Sequence, residues 1–543
     1  MYKAKTAITR YGTFQQYFIK NTLSKIKLSG VLSYSTNTNV VDKRQLKEQR
    51  VKEISDLGLD PYPIYTVPQT NYKISTIDHL KETFVLKDGE KLLQEFVAIE
   101  GRIISKRTSS KKLIFYTILK NGKHIQVVCN YSNLIDKDLE SFKKIHNFLQ
   151  TGDIVRSLGY IGKTNTGELS IFADQIPTLL STCHRTIPFL SKIENIETRF
   201  RNRHVDFLVN ENARNTIITR ARILKLIRKY FDDNGFIEVE TPVLWPSLGG
   251  ALAKPFVTKS SSLGDTDLFL RISPELFLKQ LVIGGIDRIY EIGKVFRNEG
   301  IDKSHSPEFT SCEFYQAYAN FDDIINTTET LLSTIVADLN NGSKILKVDD
   351  NKTLDFTPPF NRINITEYLS KKLDTNLEFL HTETNTENIV EKLIEITLKN
   401  NINLSTKPYT PTRLLDNLIS NLIEPLCIQP TFLLGHPILM SPLSKAKSKL
   451  ESARFELFID CSEYVNAYEE LNDPDEQRSR FKLQLADRNS GDVESLVPNN
   501  DFCEALEYGL PPTSGWGMGV DRLVTLLTNS KSIREVISFP IVK

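Results

Sequence analysis

Hydrophobic and polar positions change period several times along the chain, and each change marks an element. Residues 42–63, DKRQLKEQRVKEISDLGLDPYP, place Leu46, Val51, Ile54 and Leu57 along one side of a helix, which Gly58 and Pro61 stop. Between 95 and 180 the period falls to two. Runs rich in β-branched and aromatic residues begin at Phe96, Lys112, His124, Gly152 and Glu168, with Asn121-Gly122 as a tight turn. Five strands, with a helix at about 137–149 before the fourth, predict an OB barrel. Helical period returns at 215–234 through Ile223, Leu224, Ile227 and Phe231, and ends at Gly235. The strand FIEVETP follows.

The chain is organised around Arg288 to Tyr318, two strand-like segments flanking a charged loop. By the strand period, Ile289, Glu291, Gly293, Val295, Arg297 and Glu299 share one face, and Phe309, Ser311, Glu313 and Tyr315 another. The loop adds Lys303 and His305, and Gly300 lets it bend. Further on, Asn466, Tyr468 and Glu470 alternate, whereas Glu456 and Glu463 are out of phase. For those two carboxylates to hold one ion, a bulge or turn must fall near Asp460 to Ser462. Such a pair suits Mg²⁺, which takes few protein oxygens. Gly515, Gly517 and Gly519 leave a strand face bare enough for a flat ring, and Arg522 opens the next helix. Gly249-Gly250 allows close approach of backbone to a ligand. The stretch 376–403, rich in Asn and Thr, reads as a surface insertion.

Bulk properties narrow the class. At 543 residues the chain exceeds a single core, so two or three domains are expected. No run of eighteen apolar residues predicts a membrane span. Six scattered Cys without a CxxC pair fit a reducing compartment and give no zinc signature. The first acidic residue is Asp42, preceded by six Lys or Arg and ten Ser or Thr. That start reads as a mitochondrial transit peptide over 1–41, or alternatively as a basic tail that touches RNA. Without it the chain holds 62 basic against 67 acidic residues, so RNA contact must use local patches such as Lys106, Arg107, Lys111 and Lys112.

FRNE at 296–299, an acidic residue after HSP, then E-x-Y at 313–315 resemble motif 2 of the class II aminoacyl-tRNA synthetases. The helix with FIEVETP resembles motif 1, and LPPTSGWGMGVDR resembles motif 3. The wording, with GGALAKPF at 249–256, is that of the lysyl enzymes. The resemblance runs from about 43 to 543 and implies an α+β chain: an OB-fold β-barrel followed by the class II antiparallel sheet flanked by helices. It divides the chain into a leader 1–41, a helix and OB-fold anticodon-binding domain 42–180, a linker 181–198 and a catalytic domain 199–543.

The implied reaction joins L-lysine to tRNA(Lys) through lysyl-adenylate, with ATP and Mg²⁺, in the mitochondrial matrix, by a homodimer that needs no membrane. Arg297 and Arg522 are the implied catalytic residues. Arg297, Glu299, His305, Phe309, Glu456 and Arg522 would bind ATP, and Glu456 and Glu463 the metal. Gly249, Glu275, Glu313, Tyr315, Asn466, Tyr468 and Glu470 would form the lysine pocket, and Arg102, Phe115 and Gln126 would read the anticodon. Ser306, Ala467 and Glu469 depart from the family wording. Two rivals stand beside this reading. One is an aspartyl or asparaginyl enzyme of the same subclass, which would need a cation in its pocket. The other is a non-catalytic synthetase-like RNA-binding protein, which would be expected to lose Arg297, Arg522 or the metal carboxylates.

Overall fold

The computed structural model describes residues 43–68, 71–189, 192–247, 249–251, 253–404, 406–492 and 495–542. The transit-peptide reading of 1–41 lies outside them. Two compact units divide between Thr186 and Ile187.

In the first unit, helix α1 (Lys43–Asp56) buries Ile54, and Gly58 follows at φ 73°. Leu46, expected on the buried stripe, is exposed. Strands β1 (Lys91–Ser110), β2 (Leu113–Lys120), β3 (Lys123–Asn130), β4 (Ile154–Lys163) and β5 (Leu169–Ala173) pair in the order β1-β2-β3-β5-β4, and β4 returns to β1. The sheet therefore closes into the predicted five-stranded barrel, with α2 (Leu139–Phe148) before β4 and Asp138 capping it. Alternation decides the filling: Ile114, Tyr116 and Ile118 point inward, while Phe115 and Thr117 point out.

The second unit is built on an eight-stranded sheet. Across it run β9 (Asn361–Asn364), β10 (Thr431–Leu434), β11 (Arg454–Ile459), β12 (Ser462–Glu469), β13 (Thr513–Gly519), β8 (Glu308–Ala317), β7 (Arg288–Phe296) and β6 (Ile237–Glu238). Only the two outermost pairings are parallel. The central strands put Cys312, Phe314, Ala467, Trp516 and Met518 on one face. Against it pack helices α3 (Glu211–Asp233) and α5 (Phe321–Leu339), through Ile223, Ile227, Phe231, Ile324 and Leu332. Phe314 and Trp516 stack at 5.1 Å, and the indole N–H donates to Thr328 Oγ1 at 2.9 Å. Burying this face leaves the opposite one open for chemistry.

Two expectations change here. The stretch 376–403 is not merely surface: its helix Thr386–Lys399 buries Ile389, Leu393 and Ile396 in a separate cluster with Leu369, Leu414 and Leu418. Its polar composition sits on the outer side of an amphipathic helix. Strand β7 also ends at Phe296, so Arg297 and Glu299 lie beyond it, although the Arg297 amide still donates to Pro307 O at 2.9 Å.

Candidate active site

Register makes the site. On the open face of the sheet, Glu291 stands opposite Glu313, Glu313 opposite Gly517, Gly517 opposite Asn466, and Asn466 opposite Glu456. The neighbouring row runs Ile289, Tyr315, Gly515, Tyr468, Arg454. Residues far apart in sequence thus form two parallel lines across five strands.

At one end of these rows is an acidic pocket. Helix α4 (Glu275–Ile283) brings Glu275 and, one turn on, Lys279. Glu275 accepts from Tyr468 Oη at 2.7 Å and from Lys279 Nζ at 2.7 Å. Glu470, just past β12, is 1% exposed; its Oε2 is ion-paired with Lys279, and its Oε1 has no hydrogen-bond partner among the described residues. Glu313 accepts from Ser273 Oγ at 3.2 Å and from Tyr315 Oη at 3.4 Å. Burial, and then the charge of Glu275, push its carboxyl up to about 8. Glu470 is also pushed up, by burial first, with Lys279 opposing. Buried carboxylates of like charge are costly, and an entering cation relieves them.

One glycine of the stripe, Gly515, clears space for this pocket. A Cβ on Gly515 would fall 2.0 Å from Glu470 Oε1 and 2.6 Å from the Tyr315 ring, so only glycine leaves room there. Gly249 performs a similar office at the mouth, where a Cβ would meet Leu276 at 2.2 Å.

Burial raises the carboxyls of both Glu313 and Glu463, and Arg297 lies near enough to each for its charge to oppose that rise. Its guanidinium sits 5.2 Å from the Phe309 ring centroid, and its buried Nε has no hydrogen-bond partner among the described residues. Arg522, in helix α6 (Val520–Leu527), donates through Nη1 to Glu463 O at 2.8 Å and reaches His305 Nε2 at 3.3 Å through Nη2. Since Arg can only donate, His305 Nδ1 carries the proton it shares with Asp302 at 2.8 Å. Glu299 is exposed at the rim.

Glu456 is gripped by Arg454 Nη2, and His436 Nε2 lies 3.2 Å away; against the cost of burial they hold its carboxyl well below the usual range. Burial and the Glu456 charge push Glu463 up. The turn expected between them is present at Asp460-Cys461, both at positive φ, but the bulge lies earlier, at Leu457/Phe458. Among the described residues no cluster of three or more His, Cys, Asp or Glu could hold a metal. Two adjoining carboxylates with one firmly ionised fit Mg²⁺ sharing its shell with phosphate and water.

On the barrel, Phe115 is half-buried on the outer face with the Arg107 guanidinium 4.6 Å from its ring centroid. Gln126, opposite Thr117, shares that face and accepts from Ser170 Oγ at 3.0 Å. Arg102 is turned to Gly152 O at 2.7 Å. Lys106, expected at phosphate, instead donates inward to Leu149 O at 2.8 Å and to His146 O, and burial lowers its pKa. The alternation that exposes Arg107 turns its neighbour in.

Sequence reasoning missed Lys279, Arg271, Arg454 and His436. Arg271 ion-pairs with Glu291 and donates to Thr241 Oγ1 at 2.9 Å, which cancels one carboxylate of the row. The family departures Ala467 and Glu469 are out of phase with the site; Glu469 accepts from the Phe321 amide at 3.0 Å.

A bare antiparallel sheet face with an acidic pocket, two arginines at its edge and a pair of carboxylates, in a chain that also carries an OB barrel, defines a class II aminoacyl-tRNA synthetase. The family described as tRNA synthetases class II (D, K and N) matches residues 195–543, and the OB-fold nucleic acid binding domain matches 97–179. The chain is 44% identical over 510 residues to a probable cytoplasmic lysine–tRNA ligase of Enterocytozoon bieneusi, covering 92% of this chain and 96% of the relative. It is 42% identical over 503 residues to the mitochondrial lysine–tRNA ligase of Schizosaccharomyces pombe, covering 91% and 92%. It is 40% identical over 503 residues to a lysine–tRNA ligase of Dehalococcoides mccartyi, covering 92% and 96%. The chain belongs to the lysine–tRNA ligase family of class II synthetases.

Proposed function

We propose that the enzyme activates L-lysine with ATP and transfers it to the 3′ end of tRNA(Lys). The observation that carries this is the pocket of Glu275, Glu313 and Glu470, buried, with an unpartnered oxygen on Glu470. The acidic side chain of aspartate would need a free cation there, and the pocket's own ammonium, Lys279, is already held by two carboxylates; the neutral amide of asparagine would leave those carboxylates uncompensated. A non-catalytic homologue has no need of Arg297, Arg522, Glu456 and Glu463, all of which are in place.

In the first step the lysine carboxylate attacks the α-phosphorus, the bond to the bridging oxygen breaks, and pyrophosphate leaves. In the second a terminal ribose hydroxyl attacks the activated carbonyl and AMP leaves. No protein nucleophile is required, so catalysis is positioning and charge stabilisation. Arg297, whose planar fork can span two anions, orients carboxylate and α-phosphate. Phe309 stacks on adenine and Glu299 accepts from its amino group. Arg522 and His305 hold the γ-phosphate end. Glu456 and Glu463 would hold Mg²⁺, which would supply neutralisation of phosphate charge. Gly249 and Glu275 face the α-ammonium, while Tyr315, Asn466, Tyr468 and Glu470 enclose the side chain. Charging of a tRNA(Lys) transcript with labelled lysine tests the whole reading; no charging by the folded protein would overturn it.

The OB barrel is assigned to the anticodon. Phe115→Ala should weaken tRNA charging by about 1–3 kcal/mol in kcat/KM for tRNA, the worth of one stacked base, and spare pyrophosphate exchange. An equal fall in both assays would make Phe115 a folding residue.

The raised carboxyl of Glu313 gives a pH signature. A carboxyl whose folded pKa is lifted from the ordinary 4.5 to about 8 lends its full stability below 4.5 and loses it as pH rises through 8. A bound ammonium favours the ionised form and reverses this. The rise in Tm on adding lysine should therefore be larger at about pH 8 than at about pH 6. Equal rises at both would contradict the assignment of Glu313 to the pocket.

Two wider readings belong here. The acid-free, hydroxyl-rich start supports import into the mitochondrial matrix. Residues 1–45 fused to a fluorescent protein would test it, and diffuse cytosolic signal would sink it. The described residues contain no helix long and apolar enough to cross a membrane. Exposed Ile218, Ile237, Leu244 and Trp245 around the motif 1 segment support a homodimer. Sedimentation at the mass of one 61.9 kDa chain would refute it.

A further inference from the structure

Lys279 is the one pocket group that the reaction as described does not use. Its side chain is fully buried. It lies in the apolar helix text LFLKQLV, where a lysine has no access to water. Its Nζ meets Glu275 Oε1 at 2.7 Å on one side and Glu470 Oε2 on the other. The Tyr468 and Phe502 ring centroids lie 5.7 Å and 5.5 Å away. Burial opposes the charge, but Glu275 and Glu470 outweigh it and raise the pKa, so the ammonium is kept.

Charge in the pocket can now be counted. Glu275, Glu313 and Glu470 are three carboxyl groups, while Glu291 beside them is cancelled by Arg271. When a bound cation draws all three into the ionised form, Lys279 answers one negative charge internally and two remain. A substrate with two ammonium groups supplies two. A substrate with one leaves a buried carboxyl uncompensated, which is costly. The same tether holds Glu470 by Oε2 and leaves Oε1 open against the gap over Gly515.

Building on the lysine-pocket reading, we infer that Lys279 is a specificity-determining positioning residue: a built-in ammonium that joins Glu275 to Glu470 and sets the pocket's charge deficit to match a diamino substrate. It touches neither ATP nor the reacting carboxylate. Its effect passes through the two carboxylates it holds.

The test is Lys279→Met in the full-length enzyme, with thermal melting as the check on folding. Glu470 then loses its nearest cation and holds its proton to higher pH. Lysine KM at neutral pH should rise about 10–100-fold, with kcat within about threefold and ATP KM unchanged. The pH at which lysine KM reaches its minimum should move upward, a shift that a merely structural residue would not give. Discrimination against the mono-amino analogue norleucine should narrow by a similar factor. A wild-type lysine KM and pH profile would overturn the inference, as would an equal loss toward lysine and ATP. Should Lys279→Met fail to fold, Lys279→Gln removes the charge but keeps an N–H donor between Glu275 and Glu470. That variant should fold and show the lost discrimination; folding with wild-type discrimination overturns the inference, and so does failure of both variants to fold. Wild-type pyrophosphate exchange separates the two claims. If it depends on lysine while Lys279→Met behaves as wild type, only the role of Lys279 falls. If it does not depend on lysine, the pocket reading falls first.

Discussion

Arg297→Ala is expected to lower the rate of lysine-dependent pyrophosphate exchange about 10³-fold or more, the scale set by arginines that stabilise transferring phosphoryl groups. That corresponds to about 4 kcal/mol of lost transition-state stabilisation. The reason is position. Arg297 is near enough to Glu313 and to Glu463 for its charge to oppose the rise that burial imposes on both, so it stands close to the acidic pocket and to the Glu456–Glu463 pair alike. The α-phosphate and the attacking carboxylate must meet between the two. Its Nε is buried without a hydrogen-bond partner among the described residues, a donor left for a ligand. Arg297→Lys keeps the charge but loses the fork, so it should recover little. Binding of tRNA to the OB unit should be unchanged in both. Exchange within tenfold of wild type in a folded Arg297→Ala protein would remove Arg297 from the chemistry.

Glu470→Gln is the second large effect. The change keeps shape and removes charge from a side chain that is 1% exposed and faces an unfilled donor position through Oε1. Losing one partner of a desolvated, hydrogen-bonded charge pair costs about 2–5 kcal/mol, and kcat/KM for lysine should fall by that amount. The ATP groups lie elsewhere: Arg297 and Glu299 follow β7, and Arg522 opens α6. ATP KM should therefore stay near wild type. A lysine dependence close to wild type would sink the pocket assignment, and a collapse in ATP affinity alone would move Glu470 to the metal site.

Much of this site was legible because it is written in strand period. Glu313 with Tyr315, and Asn466 with Tyr468 and Glu470, were grouped correctly by alternation alone, and the structure sets them in adjoining rows. The barrel was legible for the same reason, its five strands carrying one inward face each. What alternation cannot supply is the partner strand. That Gly515 lies between Tyr315 and Tyr468, clearing space for Glu470, depends on β13 pairing with both β8 and β12. The sequence shows only three spaced glycines. Lys279 was hidden for a related reason. A single lysine in an apolar helix usually marks the edge of a stripe, and its burial becomes intelligible only once Glu470 closes on it from a distant strand. Lys106 failed in the opposite sense: a run of basic residues on a strand was read as one patch, but successive side chains point to opposite faces.

Pyrophosphate exchange with each of the twenty amino acids tests the central claim most directly, because it asks the pocket alone and needs no tRNA. The charge and shape of Glu275, Glu313 and Glu470 predict exchange with lysine and background with the rest, including aspartate, asparagine and arginine. Exchange driven by an acidic or neutral amino acid, or none with any, would contradict the account.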